Sequence, residues 1–431
     1  MKIAVVGGGI AGLSCAYRLG QDGADVSLLE AGDYFGGHSH TVDVGLDGVT
    51  HGVDTGFLVF NDATYPHLIE LFAELGVETA DSDMSFSVKL PLGGKGGRVL
   101  EWAGANLDTV FAQRRNLLSA PFLGMLADIV RFNRAAGKLA LDGGAAATNL
   151  SLGQFLDSQG YGAAFRHWYL LPMAACIWSC PAHQMLAFPL LTFVRFCHNH
   201  GLLQVSGRPQ WRTVKGGARV YVKKLLAQIP QRRLNCPVRS VRRSGHAGAR
   251  AVRIDSAAGV EYYDRVVLAC HSDQALALLA DPGEDERATL AAIRYQPNRA
   301  VLHTDTRCLP ARRKAWSAWN YQGGGGDAPE VCVHYLINQL QPLPFTTPVI
   351  VSLNPLDEPD PERVLGDYAY AHPVFDAAAI AAQGRLPALQ GRRHTWFAGA
   401  WTGYGFHEDG LKSGLAVARA LSRSRERDHA A

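Results

Sequence analysis

Residues 1–12, MKIAVVGGGIAG, place an apolar run directly before three glycines, and a helix-forming stretch follows. Gly7 permits a tight turn, Gly9 lets the backbone approach a phosphate without a Cβ in the way, and Gly12 lets the helix pack close to the strand. The N-terminus of the helix then faces the phosphate. The stretch therefore predicts the opening turn of a dinucleotide-binding βαβ unit.

A second apolar stretch, residues 25–30 (DVSLLE), ends in an acidic side chain. Glu30 stands eighteen residues after Gly12, where the ribose of a dinucleotide requires a carboxylate acceptor. Gly36 and Gly37 follow and make another loop suited to close backbone approach. Such a loop indicates a cofactor that carries a bulky head beyond its pyrophosphate.

The far end of the chain adds a third segment of the same kind. Residues 395–401 (TWFAGAW) are typical of a buried strand that runs into a glycine turn, and residues 405–418 (GFHEDGLKSGLAVA) are typical of a helix with small residues on its packing face. A helix N-terminus at this point could stabilise an anion through its dipole and its free N–H groups.

In these three segments the chain resembles the flavoprotein superfamily of amine oxidases, phytoene-type desaturases and protoporphyrinogen oxidases. The resemblance implies FAD as the cofactor. It also implies an α/β fold, with a Rossmann-type, glutathione-reductase-like FAD-binding domain and an interleaved substrate domain of mixed or antiparallel sheet plus helices. His38 stands where the family usually has an arginine, which implies a weaker or pH-dependent cation near the phosphates.

Motif and resemblance together assign a set of residues to the cofactor. The resemblance places the segment from Asp54 to Phe57 against the flavin, the backbone of Val238 at the adenine, and the backbone of Gly410 and Leu411 at the pyrimidine edge. The full set is Gly7, Gly9, Ala11, Gly12, Glu30, Ala31, Gly36, Gly37, His38, Asp54, Gly56, Phe57, Val238, Gly399, Asp409, Gly410 and Leu411.

The chain is expected to cross between the two domains several times. We predict an FAD-binding domain formed by residues 1–85, 226–290 and 386–431, and a substrate domain formed by residues 86–225 and 291–385. Residues 105–225 have mainly helical patterns. Four strands of the substrate sheet are predicted at residues 300–305, 315–321, 331–337 and 348–353.

Residues for substrate chemistry are less strongly indicated. Amine oxidases of the superfamily carry a lysine on the first strand of the substrate sheet, but residues 295–302 (YQPNRAVL) have asparagine or arginine there. The sequence favours His303 and Tyr335 for proton handling. The substrate-contacting candidates are Trp178, Trp319, Asn320, Asn338 and Tyr404.

Several segments, among them residues 211–214 and 316–321, are similar to a bacterial subgroup of NAD/FAD-binding, amine-oxidase-like proteins associated with modification of fatty acids. The resemblance implies an FAD-dependent oxidoreductase, either desaturase or oxidase, that transfers a hydride from an unsaturated or modified fatty-acyl substrate to the flavin. Three alternatives stay open: an amine oxidase with an aromatic cage at Trp401 and Tyr404, a redox-neutral fatty-acid isomerase, and a flavin-binding protein without catalysis.

Composition is consistent with this class. The 431 residues are 47% hydrophobic and carry a formal charge of only +3, so we expect no nucleic-acid partner. An arginine-rich stretch at residues 232–243 is expected to be a solvated surface. There is no run of eighteen apolar residues and no leader pattern, so we expect a cytoplasmic protein, with peripheral membrane contact if the substrate is a lipid.

The eight cysteines form no CxxC pair, and no metal site is expected. Reduced, buried thiols are the preferred interpretation. Cys176 and Cys180 are one helical turn apart, and a redox pair there is the alternative.

Overall fold

The N-terminal strand, glycine turn and helix form as the sequence predicts, and they begin a mixed α/β fold. The computed structural model describes residues 1–93, 97–142, 150–178, 182–204, 207–243, 251–324 and 331–430. The strands are β1 (Lys2–Val6), β2 (Asp25–Leu29), β3 (Thr41–Leu46), β4 (Val49–Asp54), β5 (Phe60–Asn61), β6 (Thr79–Ser82), β7 (Phe86–Leu92), β8 (Arg98–Ala103), β9 (Trp211–Val214), β10 (Arg232–Arg233), β11 (Val238–Arg243), β12 (Val252–Ser256), β13 (Gly259–Tyr263), β14 (Arg265–Leu268), β15 (Arg294–His303), β16 (Trp319–Gly323), β17 (Val331–Leu336), β18 (Ile350–Leu353), β19 (Val364–Val374) and β20 (Thr395–Phe397).

Helices cover the sheets and fill the middle of the chain. They are α1 (Ile10–Gln21), α2 (Pro66–Leu75), α3 (Leu107–Val110), α4 (Ala120–Leu141), α5 (Leu152–Ser158), α6 (Ala163–Phe165), α7 (Leu171–Trp178), α8 (Ala182–Leu186), α9 (Leu190–Asn199), α10 (Arg219–Ala227), α11 (Ser272–Leu278), α12 (Glu284–Leu290), α13 (Ile337–Leu340), α14 (Ala377–Arg385) and α15 (His407–Ala430).

A five-stranded parallel sheet has the order β10-β2-β1-β14-β20 and draws its strands from three distant parts of the chain. β1 lies at its centre, with Val5 paired to Leu28 on one side and to Val267 on the other. These strands are continuous apolar runs because both faces of the sheet are covered. On one face α1 packs against α15, and a Cβ at Gly414 would collide with the carbonyl oxygen of Ala11. The small residues predicted for the C-terminal helix therefore serve this close helix pairing.

A seven-stranded mixed sheet has the order β19-β15-β18-β17-β16-β7-β8. The four strands expected from the sequence correspond to β15, β16, β17 and β18, and the sheet also contains β7, β8 and β19, which the sequence analysis did not predict. All pairs are antiparallel except β16 with β7.

The helices between α4 and α9 share a separate, strongly aromatic core. α10 packs against α1 and contributes Tyr221, Val222 and Leu225 to the core around β1. The division of the chain into two domains at residue 226 and the other proposed boundaries stays a prediction.

The arginine-rich stretch at residues 232–243 is not uniformly solvated, so that expectation was wrong for one of its members. The side chain of Arg243 is buried and forms ion pairs with Asp281 (Nε to Oδ1, 2.9 Å) and Glu286 (Nη1 to Oε1, 2.5 Å). Arg243 is a structural cation, since a guanidinium removed from water needs such partners.

Candidate active site

A cavity of about 730 Å³ extends from the glycine turn after β1 to the inner face of the seven-stranded sheet. Seventeen residues were predicted to contact the cofactor, and twelve of them line this cavity: Gly7, Gly9, Ala11, Glu30, Ala31, Gly36, Gly37, His38, Gly56, Phe57, Val238 and Gly399. These residues are scattered over almost the whole chain, and the fold brings them to one cavity.

The glycine turn has the two geometric properties that the sequence indicated. A Cβ built on Gly9 meets no atom within 4 Å, so this position opens onto empty space. A Cβ on Gly12 would collide with the carbonyl oxygen of Gly7, so Gly12 allows the close packing of α1 without itself lining the cavity. The first N–H groups of α1 have no acceptor within the helix, and they are available to an anion.

Glu30 lies at the end of β2, and its carboxylate lines the cavity. Its Oε2 accepts a hydrogen bond from Gly8 N (2.6 Å), and its Oε1 accepts one from Gly32 N (2.8 Å). A carboxylate offers about four lone-pair positions, so two bonds to the backbone leave acceptor capacity for hydroxyl groups.

The loop of Gly36 and Gly37 lies directly against the glycine turn. Gly36 N donates to Gly8 O (2.8 Å), and a Cβ on Gly37 would stand 3.2 Å from the Cα of Gly9. His38 follows, and its ring stacks on Tyr370 with 4.9 Å between centroids. The Nε2 atom of His38 is buried without a hydrogen-bond partner among the described residues, and burial lowers the pKa of this imidazole well below its usual value.

The C-terminal segment contributes the loop of residues 399–407 rather than the helix positions predicted from the resemblance. Asp409 is half-buried behind this loop, and its Oδ2 accepts hydrogen bonds from Tyr404 N and Phe406 N (both 3.0 Å). Gly410 N already donates to Phe406 O (3.1 Å), and Leu411 is buried in the core. None of these three lines the cavity, because α15 turns inward against α1 at this point.

Asp54 also lies outside the cavity lining. Its carboxylate accepts hydrogen bonds from Ala218 N (2.9 Å) and Gln341 Nε2 (2.7 Å), and from the hydroxyl of Thr41. Complete burial raises the pKa of Asp54 to about 7. The expectation of a cofactor contact is therefore corrected: Asp54 holds the start of α10 and the neighbouring loop, while Gly56 and Phe57 reach the cavity.

The seven-stranded sheet forms the wall opposite the glycine turn, and strand alternation decides which candidates face the cavity. Trp319 and Tyr335 face it from β16 and β17, with their rings edge to face at 4.9 Å. Burial raises the pKa of the Tyr335 hydroxyl, so this group is protonated. The indole Nε1 of Trp319 has no hydrogen-bond partner among the described residues.

His303 and Asn320 lie on the opposite face of the sheet, so their assignment to the site is corrected. His303 Nδ1 accepts a hydrogen bond from Asp305 N (3.1 Å), and Nε2 pairs with Ser352 Oγ (2.6 Å). Asn320 pairs with the hydroxyl of Ser87 (2.7 Å) and with backbone groups. Side chains of successive strand residues point to opposite faces, and the sequence did not show which face is inner.

Behind the sheet, His303, His334 and Cys308 stand close enough together to hold a metal ion. Ser352 Oγ lies 2.6 Å from His303 Nε2 and 2.6 Å from His334 Nδ1, and Gln322 Oε1 lies 2.8 Å from His334 Nε2. Both imidazoles thus have partners on both nitrogens. We interpret the group as a satisfied core hydrogen-bond network.

Asn338 is another structural amide. Its Nδ2 donates hydrogen bonds to Phe345 O (3.2 Å) and Thr347 O (3.1 Å), and its Oδ1 accepts one from Val349 N (2.7 Å). It does not line the cavity.

The helical wall of the cavity is aromatic. Trp178 lines it and contacts Phe196, with 4.6 Å between ring centroids, and its Nε1 atom is buried without a partner among the described residues. The ring centroid of Tyr404 lies 5.8 Å from that of Phe196. Cys176 also lines the cavity, and burial raises the pKa of its thiol well above the usual value. Cys180 lies outside the described residues, so the redox pair stays untested.

Strand β19 brings in residues that sequence reasoning missed. Tyr370 and His372 line the cavity, and Asn298 Nδ2 lies 3.0 Å from His372 Nδ1. The stretch YAYAH at residues 368–372 alternates large and small side chains, which is the pattern of a half-buried strand and could have revealed them. Other missed lining residues are His200, His271, Tyr295 and His407.

The cavity fits a dinucleotide with a bulky, flat head. At Gly9, the end of the cavity suited to phosphates has space that a Cβ would fill. Glu30, an acid suited to a ribose, lies beside this end. The Nε2 atom of His38 is buried without a hydrogen-bond partner among the described residues, which indicates a polar ligand group there. The chain belongs to the family of flavin-containing amine oxidoreductases, whose model matches residues 10–335. Membership implies FAD as the cofactor, as the sequence predicted.

A named relative agrees with this family. The chain is 27% identical over 254 residues to a probable flavin-containing monoamine oxidase A from Dictyostelium discoideum. The aligned region covers 56% of this chain and 51% of that protein. It thus spans about half the length of this relative.

Two solved structures share the fold over nearly their full length. Cyclohexylamine oxidase from Brevibacterium oxydans IH-35A matches with a TM-score of 0.68 at 17% identity, covering 99% of both chains. The fatty acid isomerase from P. acnes, which produces CLA, matches with a TM-score of 0.66 at 16% identity, covering 97% of this chain and 98% of the other. At such identities the likeness concerns the fold alone.

Proposed function

We propose that this protein is an FAD-dependent oxidoreductase that acts on an uncharged, lipid-like chain, namely an unsaturated or modified fatty-acyl group. The observation that carries the proposal is the charge of the cavity lining. Among the described lining residues the one carboxylate is Glu30, at the glycine turn, and there is no aspartate, lysine or arginine.

An uncharged wall favours an uncharged substrate. Met84, Ile177, Val351 and Leu353 line the cavity beside the aromatic residues, and each methylene buried against such a wall contributes about 0.8 kcal/mol. An ammonium group would lose its hydration without gaining a carboxylate partner there, which is costly. The family's typical lysine also has no counterpart among the described lining residues.

The positions near the expected lysine support the same conclusion. Asn298 is held by Asn354 Nδ2 (2.7 Å) and by His372 Nδ1 (3.0 Å). Arg299 points to solvent, where it forms ion pairs with Glu358 and Asp367 (both 2.7 Å). Neither side chain supplies a free amine to the cavity.

The residues of this chain would bind and orient, since FAD itself supplies the hydride or electron transfer. We assign the phosphates to the turn at Gly9 and the start of α1, the ribose to Glu30, and the far end of the cofactor to the loop of residues 399–407. The N-terminal part then acts as a Rossmann-type, glutathione-reductase-like cofactor domain.

Three polar groups of the sheet and the helical wall, Tyr335, Trp178 and Trp319, would position the substrate. Tyr335 keeps its proton and can donate or return it, and the indole N–H groups of Trp178 and Trp319 have no acceptor in the part of the chain that the structure describes. We therefore assign proton handling to Tyr335 and orientation of a polar end of the substrate to the two tryptophans.

The proposal is tested by binding a series of acyl lipids of increasing length to the FAD-loaded protein and following the flavin absorbance. We expect the dissociation constant to fall by up to about fourfold per added methylene until the cavity is full. A dissociation constant that is independent of chain length would contradict the proposal.

Two alternatives are distinguished by the same preparation. An amine oxidase would use Trp401 and Tyr404, both in the lining, as an aromatic cage. Its activity would rise with pH as the substrate amine loses its proton. A redox-neutral isomerase would move a double bond in the lipid without net reduction of the flavin, so its product differs while the absorbance returns to the starting value.

A further inference from the structure

A surface separate from the cavity combines exposed leucines with basic side chains. We call it the Leu118 surface. Its apolar members are Val99, Leu107, Leu117, Leu118 and Leu123, and its basic members are Arg98, Arg114, Arg115, Arg312, Arg313 and Lys314. None of them lines the cavity.

The apolar exposure is far above that of an ordinary surface leucine. Leu118 is 93% exposed and Leu107 is 77% exposed, while Leu117 and Leu123 are 48% and 44% exposed. Single exposed apolar residues are common, but a group of them on one surface marks an interaction site.

Hydrogen bonds and ion pairs show that these segments are neighbours. Arg115 Nη2 donates to the carbonyl of Val99 (2.8 Å), which joins the turn at residues 114–118 to β8. Asp108 pairs with Arg114 and with Lys314 (Nζ to Oδ1, 3.1 Å), which joins α3 to the segment at residues 312–314. The segments that carry the exposed leucines and the basic side chains are therefore neighbours in the fold.

The charge of this surface is strongly positive. Among the described residues of this surface there are six basic side chains and two acids, Asp108 and Glu101, and Glu101 is buried and bonded to Arg312 (3.0 Å). Desolvation together with the positive charges of Arg98 and Arg312 lowers the pKa of Arg115, as expected where cations are crowded together. Such a surface is complementary to a layer of phosphates.

We propose that the Leu118 surface docks on an anionic lipid bilayer, with the leucines inserted below the headgroups and the arginines against the phosphates. A second copy of this chain is the less favourable occupant, since a symmetric contact would bring two sets of like charges together. The inference goes beyond the proposed reaction and does not depend on the identity of the substrate.

Among the described residues, no helix is long and apolar enough to cross a bilayer. Docking would be interfacial and reversible. Because leucine insertion and phosphate attraction both contribute, binding should respond to apolar substitution and to salt.

The test is sedimentation of the purified, FAD-loaded protein with vesicles of phosphatidylcholine alone or mixed equally with phosphatidylglycerol. We expect binding to the mixed vesicles, weakened by added salt, and much weaker binding to phosphatidylcholine. Leu107→Gln combined with Leu118→Gln should reduce the partition coefficient at least about tenfold. Arg114→Gln combined with Arg313→Gln should reduce binding to the mixed vesicles while leaving binding to phosphatidylcholine unchanged.

Matched controls come from the same chain. Leu141→Gln replaces a leucine that is 74% exposed at the other end of α4, and Arg239→Gln with Arg242→Gln replaces two exposed arginines on β11. Both controls should bind as the unmodified protein does, and circular dichroism should confirm that all variants are folded.

Three results would overturn the proposal. The first is an absence of binding to the mixed vesicles by the unmodified protein. The second is equal binding by the leucine variant. The third is a dimer in light scattering that the leucine variant converts to a monomer without any change at the vesicle, which would make the surface a protein interface. No turnover is measured, so failure here leaves the proposed reaction untouched.

Discussion

The carboxylate of Glu30 accepts a hydrogen bond from the backbone N–H of Gly8 at 2.6 Å. This bond ties the end of β2 to the turn that follows β1, so the acid and the glycine turn are positioned as one unit. The same carboxylate faces the cavity. An acid that organises the loop and also lines the cavity explains why strand, turn and acid occur together in the sequence.

Replacing Glu30 with Ala should weaken FAD binding by about 1.5–3 kcal/mol, or roughly 10–150-fold, through loss of a charge-assisted hydrogen bond. The measurement is titration of the FAD-free protein with FAD, followed by flavin fluorescence. Asp33→Asn, an exposed acid three residues away, is the control and should bind FAD normally. Unchanged affinity in Glu30→Ala would refute the ribose assignment.

Gly9→Ala and Gly12→Ala should fail in different ways. A Cβ at Gly9 enters open space, and its φ of −73° suits alanine, so the FAD-free protein should keep its thermal stability but bind FAD much more weakly. A Cβ at Gly12 meets the carbonyl of Gly7, so this variant should lose stability by about 1–3 kcal/mol even without FAD. Calorimetry with and without FAD separates the two. Normal FAD affinity in Gly9→Ala would mean that the cofactor does not pass this turn.

Tyr335→Phe should lower kcat by about 10²-fold or more, because it removes the hydroxyl while keeping the ring against Trp319. His303→Gln is the matched comparison. It breaks a buried hydrogen-bond network behind the sheet, so it should lower the melting temperature and leave kcat of the folded protein nearly unchanged. A folded His303→Gln protein without activity would return His303 to the site.

The buried histidines behind the sheet should make the protein sensitive to acid. Burial lowers the pKa of His303 to about 4 and of His334 to about 3, whereas the unfolded chain takes up protons near pH 6.5. Stability is therefore fully present above pH 6.5 and is lost as the pH falls towards 4. Each such histidine contributes a slope of up to about 1.4 kcal/mol per pH unit.

Urea unfolding of the FAD-free protein at about pH 7, 6 and 5 measures that slope. His334→Gln should reduce the slope of unfolding free energy against pH by close to the contribution of one histidine. His167→Gln, at an exposed position, should leave the slope unchanged. Equal slopes in all three proteins would show that these imidazoles are not the groups that titrate on unfolding.

Features that are local in sequence could be predicted well. The turn at Gly7 to Gly12, the acid at Glu30 and the second glycine loop each depend on a few adjacent residues whose backbone or charge requirement is visible directly. The order of the strands in the parallel sheet, β10-β2-β1-β14-β20, was not predicted, because it depends on pairing between distant segments of the chain. Family membership and FAD were predicted from these segments together with the C-terminal segment at residues 395–418.

The face of the sheet that a strand side chain occupies could not be predicted from the sequence. His303 and Tyr335 both come from apolar strands, and a polar residue in such a strand reads the same whether it faces a cavity or the opposite core. Leu309, from the segment that follows β15, packs with Leu336 and Ile350 on the face of the sheet that His303 occupies, and this long-range packing is not visible in the sequence. Gly410 and Leu411 were misplaced for a related reason, because α15 buries its first turn against α1.

Anaerobic mixing of the FAD-loaded protein with substrates tests the central claim most directly. Acyl lipids and simple primary and secondary amines are mixed separately with the protein in the absence of oxygen, and the flavin absorbance is followed. The account predicts that unsaturated or modified acyl lipids bleach or shift the flavin spectrum and that amines leave it unchanged. Rapid bleaching by amines, with no response to any acyl lipid, would contradict it.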